Sequence, residues 1–284
     1  MRLNNIYLDK ILEFAIDEDI GDGDHTSLAC ISKKSRGKSD LLVKESGILA
    51  GMDIAQKVFN KIDPGLQCEI YLHDGSSVEQ GSIAFQVEGR ILSILQSERL
   101  VLNFMQRLSG IATQTNLYAE KLKGLHTKIL DTRKTTPGMR MLEKRAVELG
   151  GGSNHRMGLY DMILIKDNHI DFAGGVGQAI RKTLKYLQRT KKNLKVEVEV
   201  RNLDELTQVI HTGGVDRILL DNFSLTDTRQ AVERINGMYE TETSGNITLQ
   251  NIREYAECGV DYISVGALTH HFRSLDMSMK AVDF

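Results

Sequence analysis

The chain has 284 residues, enough for one large domain or two smaller ones, and its 41% hydrophobic content is that of an ordinary globular core. Its 36 basic and 38 acidic residues leave a net charge of -2, which removes the global electrostatic case for a nucleic-acid partner. The three cysteines, Cys30, Cys68 and Cys258, have no CxxC or Cys/His spacing, so they read as buried thiols and not as a disulfide framework or a zinc site.

The N-terminal stretch MRLNNIYLDKILEFAIDEDIGDGD reaches acidic residues before any signal-type apolar core forms, and no run is long enough to span a membrane. The expectation is a cytoplasmic protein with no membrane partner. LDKILEFAIDEDIG places apolar residues at helical intervals and predicts a helix capped at Gly21, followed by an acidic loop, DEDIGDGDHTS. Residues 36–89 hold short strand-like runs, SDLLVKESGILAG, LQCEIYLHDGSSV and GSIAFQVEG, around one helix, MDIAQKVFNKI. A long helical run, SILQSERLVLNFMQRLSGIATQTNLYAEKLKG, follows, with a break predicted near Ser109 and Gly110.

From Thr127 onward strands and helices alternate. The strand candidates are TKILDT, MILIKD, KVEVEV, RILLDN, YETETS and YISVGA; the helices between them include MRMLEKRAVELG, VGQAIRKTLKYLQ, LDELTQVIHTG and LTDTRQAVERIN. Such alternation implies parallel strands with right-handed crossovers. A βα barrel of fewer than eight strands fits best, because functional-looking residues follow each strand and barrel sites are built from the C-terminal strand ends. An open doubly wound sheet is the alternative, weakened by the lack of a GxGxxG after its first strand. There is no internal repeat.

In a barrel these strand-end residues converge: Arg133 and Lys134, Lys166, Glu199, Asp221, then Glu242, Ser244, Gly245 and Asn246, then Ser264, Val265 and Gly266. The cations suit an anionic substrate, the carboxylates suit Mg2+ or ribose hydroxyls, and the two Gly-containing turns suit a phosphate. Taken singly, each has a plainer explanation. A lone basic pair is usually a solvated turn, Gly after a strand usually serves the turn, Glu197 and Glu199 share one strand face that an edge would expose, and His155 alone reads as structural. GGGSNHR, with three glycines, suits a tight bend presenting His155 and Arg156.

The strings DTRKTTPGMRMLEKRAVELGGGSNHRMGLYDMILIKDNHI, VEVEV, ILLDNF and ETSGNI closely resemble the quinolinate phosphoribosyltransferases, and EDIGDGDHTS and SERLVLNFMQRLSGIAT extend the likeness over nearly the whole chain. The resemblance implies an α/β fold with an N-terminal α/β sandwich domain, residues 1–112 joined by 271–284, and a βα barrel over 113–270. It implies a homodimer with shared active sites, leaving open a hexamer built from dimers. It assigns quinolinate to Arg133, His155 and Arg156, with Arg99 reaching in from the second subunit, and counts Thr132 among the substrate-binding residues. Lys134 and Lys166 fall between the substrates, as catalytic residues together with Glu199 and Asp221, which also hold Mg2+ and the ribose. Ser244, Gly245 and Asn246, with Ser264, Val265 and Gly266, match the family's 5′-phosphate sites, and Glu242 is counted among the substrate-binding residues. Asn246 stands where the family frequently has Gly, and Arg201 and Asn202 receive no role.

The implied reaction joins quinolinate to 5-phosphoribosyl 1-diphosphate and loses CO2. A barrel enzyme with another anionic acceptor such as nicotinate, a phosphate-binding isomerase and a silent phosphoribosyl-diphosphate sensor are the competing readings. Intact KDNH and NHRMGLYD favour quinolinate, and the full set of charged residues disfavours a silent relative.

Overall fold

A computed structural model describes residues 5–282. The first part of the chain runs α1 (Asn5–Ile20), α2 (His25–Cys30), β1 (Arg36–Val43), β2 (Gly47–Ile48), α3 (Met52–Ile62), β3 (Gln67–Ile70), β4 (Ser77–Val78), β5 (Ile83–Arg90) and α4 (Ile91–Lys121). Alternation follows: β6 (Lys128–Leu130), α5 (Arg140–Leu149), β7 (Ile163–Ile165), α6 (Asp167–Ala173), α7 (Val176–Thr190), β8 (Val196–Val200), α8 (Leu203–Thr212), β9 (Arg217–Asp221) and α9 (Leu225–Ile235). The chain ends with β10 (Glu240–Ser244), α10 (Ile252–Ala256), β11 (Tyr262–Ser264), α11 (Ala267–His270) and β12 (Met277–Val282).

Two compact units result. One takes the chain to Asn116, Thr136–Gly151 and the segment from His271 onward; the other takes Leu117–Thr135 and Gly152–His270. The segment carrying α5 therefore clusters with the first unit, whereas the sequence boundary at 112/113 had assigned it to the barrel. In the first unit the sheet order is β12-β1-β5-β3, antiparallel throughout. Every second residue of β1 (Gly37, Ser39, Leu41, Val43) is buried, the period expected of a sheet covered on one face. The Phe59 ring of α3 meets Phe85 of β5 edge-on at 5.5 Å.

Helix α4 does not break at Ser109 and Gly110. Instead, Ser109 Oγ accepts from the Ala50 N–H at 2.9 Å and donates to the Ala50 carbonyl at 3.1 Å. A Cβ at Gly110 would lie 2.3 Å from the Arg273 carbonyl oxygen. This Ser-Gly pair is where two backbone segments press on the helix, so tertiary contact explains what looked like a stop signal. The predicted acidic loop also differs: Asp24 accepts from the Ser27 N–H at 3.0 Å and starts α2. Cys30 is exposed and Cys68 half-buried; among the three cysteines Cys258 alone is buried, as expected of it.

The second unit is a six-stranded parallel sheet, order β6-β11-β10-β9-β8-β7. Each strand lies beside its predecessor in the chain and the last lies beside the first, except that no ladder joins β6 to β7 among the described residues. That circular order is a barrel's and not a doubly wound sheet's. At the seam, the Ser153 N–H donates to the Ile129 carbonyl at 2.9 Å and its carbonyl accepts from Asp131 at 3.2 Å, so the glycine-rich bend makes one bridge where a ladder is missing. A Cβ at Gly150 would sit 2.3 Å from the Ala112 carbonyl, which accounts for one glycine of that run by close approach.

Candidate active site

Paired residues on parallel strands share a face, and the register here aligns Leu164 with Glu197, Glu197 with Arg217, and Arg217 with Glu240. One level on, Glu199, Leu219, Glu242 and Tyr262 align; next come Asp221 with Ser244, and Ser264 with Leu130. Apart from Leu164, Leu219 and Leu130, the residues named on this face are polar or charged. The opposite face of β8 carries Val196, Val198 and Val200, at most 2% exposed, so the strand's other side is ordinary core. Glu197 and Glu199 are therefore interior residues of a central strand, not edge decoration.

At the C-terminal strand ends, Lys166 Nζ donates to Glu199 Oε2 at 3.0 Å. Lys166 is also the N-cap of α6, a helix the sequence reading missed in KDNHI; there the His169 ring accepts from the Lys166 N–H at 2.9 Å. Asp221 accepts at Oδ1 from Ser244 Oγ at 2.9 Å and at Oδ2 from Asn222 Nδ2 at 2.8 Å. Asn246 stands at φ 53°, a left-handed conformation that asparagine tolerates, so it fills the turn that glycine would otherwise serve. Its side chain donates to Asn222 at 3.2 Å, and Gly245 lies between Ser244 and this turn.

Arg133 and Lys134 are exposed just beyond β6, with Thr132 Oγ1 accepting from the Lys134 N–H at 3.0 Å. Gly266 lies against the Lys134 side chain, Val265 pairs its N–H with the Leu130 carbonyl at 2.9 Å, and Ser264 is turned inward toward Glu242. Arg156 is buried and donates to the Met162 carbonyl at 3.2 Å. Burial, and then the neighbouring Arg133 charge, lower its pKa from the usual guanidinium value. Two cations close enough to repel each other favour an anion between them.

Beneath them lies a cluster that sequence reasoning did not assemble. His155 receives the Arg156 N–H on Nδ1 at 2.7 Å, and its own N–H donates to Asp131 at 2.8 Å. Its Nε2 lies 2.9 Å from Glu197 Oε2 and 3.6 Å from Glu242 Oε2. Both carboxyls have 0% exposed side chains, and apart from the hydrogen bond that the two carboxyls can share, Glu197 Oε1, Glu197 Oε2 and Glu242 Oε1 have no donor. Burial pushes each up to about 7. Arg217 counters them: it donates to Glu242 at 2.8 Å and to Glu240, and its guanidinium lies 3.9 Å from the Tyr262 ring centre. The period-two spacing in VEVEV was the available signal for Glu197; nothing local marked Arg217.

The barrel unit thus brings together the predicted Thr132, Arg133, Lys134, His155, Arg156, Lys166, Glu199, Asp221, Glu242, Ser244, Gly245, Asn246, Ser264, Val265 and Gly266, with His155, Glu242 and Ser264 turned into the interior. Arg99 lies on α4 in the other unit and is exposed.

Residues 24–109 match the model described as the N-terminal domain of quinolinate phosphoribosyl transferase, and residues 111–280 match that of its C-terminal domain. The chain belongs to the quinolinate phosphoribosyltransferase family. It is 43% identical over 288 residues to the mitochondrial quinolinate phosphoribosyltransferase (decarboxylating) 2 of Nicotiana glauca, covering 96% of this chain and 82% of that one. To the Bacillus subtilis (strain 168) protein named probable nicotinate-nucleotide pyrophosphorylase (carboxylating) it is 40% identical over 277 residues, 98% and 94% of the two chains. The crystal structure of NadC from Streptococcus pyogenes superposes with a TM-score of 0.94 at 39% identity over 100% of both chains. The sandwich-plus-barrel expectation thus holds for the family's two domains. Among the described residues, no helix is long and apolar enough to cross a membrane.

Proposed function

We propose that this chain transfers the phosphoribosyl group of 5-phosphoribosyl 1-diphosphate to quinolinate with loss of CO2, giving nicotinate mononucleotide and diphosphate in NAD biosynthesis. The observation that carries the reading is the pair of arginines, Arg133 and Arg156, close enough to lower the Arg156 pKa, in the unit that also holds the Lys166–Glu199 and Asp221–Ser244 pairs at its strand ends. A ring with two adjacent carboxylates neutralises such a pair, and a single carboxylate does so less completely.

The quinolinate nitrogen donates its lone pair to C1 of the ribose as the C1–O bond to diphosphate breaks, with the electron pair leaving on diphosphate. Lys134 and Lys166 stand where anionic charge grows; Asp221 and Glu199 hold the sugar hydroxyls. Loss of the 2-carboxylate as CO2 leaves its electron pair at C2, next to the now cationic ring nitrogen, and a proton taken up there completes the product. The protein's part in that step is orientation, and this accounts for the lack of a nucleophilic triad.

Glu199 and Asp221 offer hard carboxylate oxygens on one sheet face of neighbouring strands, a donor set that fits Mg2+ together with substrate oxygens. When bound, the ion would neutralise diphosphate charge during departure. The reading includes a cytoplasmic homodimer in which Arg99 of a second copy completes the acceptor site. The test is product formation by purified protein with Mg2+ and 5-phosphoribosyl 1-diphosphate. Nicotinate mononucleotide formed from quinolinate and not from nicotinate supports it; turnover of nicotinate alone overturns the acceptor.

A further inference from the structure

Arg201, two residues beyond Glu199, belongs to no part of the chemistry above, yet it is among the most fully engaged cations of the barrel unit. Its Nε and Nη2 donate to Glu205 Oε1, and its backbone N–H donates to Glu205 Oε2 at 2.8 Å. The fork also reaches α6: Nη2 donates to Asp171 Oδ1 at 3.1 Å and Nη1 to Asp171 Oδ2 at 3.3 Å. Glu205 is buried and fixes the guanidinium; Asp171 is exposed and belongs to the short helix whose N-cap is Lys166.

Two ion pairs therefore tie the start and the body of α6 to β8 and the residue that follows it. One is Lys166–Glu199, inside the site; the other is Asp171–Arg201, outside it. The inner pair joins two groups that the proposed function needs separately, the lysine for anions and the carboxylate for the sugar or the metal. A substrate that draws the lysine to an anion and the carboxylate to the sugar or metal loosens that pair. At that stage the outer pair is the ionic tie, among the described residues, that still holds α6 to the chain just after β8.

We infer that Arg201, through Asp171, is a positioning residue that latches α6 while Lys166 exchanges Glu199 for the anionic substrate. An exposed ion pair is weak alone, but this one is bidentate and its arginine is already immobilised by Glu205, so less side-chain freedom is lost in making it. In the resting protein the two ties are redundant, and losing either changes little. In the substrate complex the latch carries more of the hold on α6, so its loss should appear in turnover more than in ground-state affinity.

This inference rests on the proposed function for its catalytic consequence, though not for the physical coupling. Backbone amide exchange over residues 167–173 would be compared in wild type, Asp171→Asn, Glu199→Gln and the double variant, without substrate. Each single variant should raise exchange less than about 3-fold and the double variant at least about 10-fold, the non-additivity expected of two redundant ties. In steady-state assays Asp171→Asn, which leaves Arg201–Glu205 intact, should lower kcat roughly 10-fold with KM for quinolinate within about 2-fold. Additive exchange effects, or wild-type kcat in Asp171→Asn, would overturn the latch. A wild-type protein inactive on quinolinate but showing the non-additive exchange would instead refute the functional reading and leave the latch standing.

Discussion

Replacing Glu197 by Gln removes one ionisable group from a buried carboxyl pair while keeping its shape, and the consequence for stability depends on pH in a calculable way. Burial raises the Glu197 carboxyl from 4.5 to about 7 in the folded protein. The unfolded chain releases its proton near the lower value, so between the two the folded state binds more protons, and stability falls as pH rises through that window and levels off above it. At about 1.36 kcal/mol per pH unit, the full cost above pH 7 is about 3 kcal/mol. Glu242, raised to about 7 alongside it, titrates with Glu197 as a pair; a neutral side chain at 197 lets Glu242 ionise more readily, which adds in the same direction. Urea unfolding followed by circular dichroism, without Mg2+ and at one protein concentration, should show Glu197→Gln gaining roughly 2–3 kcal/mol relative to wild type between pH 5 and pH 8. An equal difference at the two pH values would mean that Glu197 is ionised in both, with its charge compensated by Arg217, and the account of the orphaned oxygens would be wrong.

Arg133→Lys keeps the charge but loses the planar fork, and kcat/KM for quinolinate should fall about 10- to 100-fold, the range of one charge-assisted hydrogen bond; near-normal kinetics would remove Arg133 from the acceptor site. Gly110→Ala sets helix propensity against a backbone clash: alanine favours a helix by about 1 kcal/mol, but a Cβ lying 2.3 Å from the Arg273 carbonyl forces backbone apart. Net destabilisation of about 1–3 kcal/mol in the same unfolding assay is expected, and a stabilised variant would show that the chain from Arg273 gives way freely.

Strand identity was readable because the barrel strands are short β-branched runs bounded by turns, and all six fall within the segments quoted from the sequence. Helix α6 was not: KDNHIDFA is short, weakly periodic and held by His169 capping and by Arg201, neither a local propensity. The stop expected at Ser109–Gly110 failed because Gly there answers to a neighbouring backbone segment, which local sequence does not encode. The rim of the site was legible through the motif strings. The floor was not, since the Glu197–Glu242–Arg217 cluster exists only once β8, β9 and β10 are in register. A parity argument places Glu197 with Glu199 on one face, but whether that face is solvent or interior depends on the strand's neighbours. Arg201 illustrates the converse, a residue with no motif whose place becomes clear from its contacts with Asp171 and Glu205.

The central claim is that one catalytic event couples nucleotide formation to loss of the carboxylate next to the ring nitrogen. Quinolinate labelled in its 2-carboxylate, incubated with 5-phosphoribosyl 1-diphosphate and Mg2+, tests this directly by counting labelled CO2 against nicotinate mononucleotide. The account predicts one CO2 per nucleotide, no label in the product, and no CO2 when the phosphoribosyl donor is omitted. Label retained in a dicarboxylate nucleotide, or CO2 released without the donor, would contradict it.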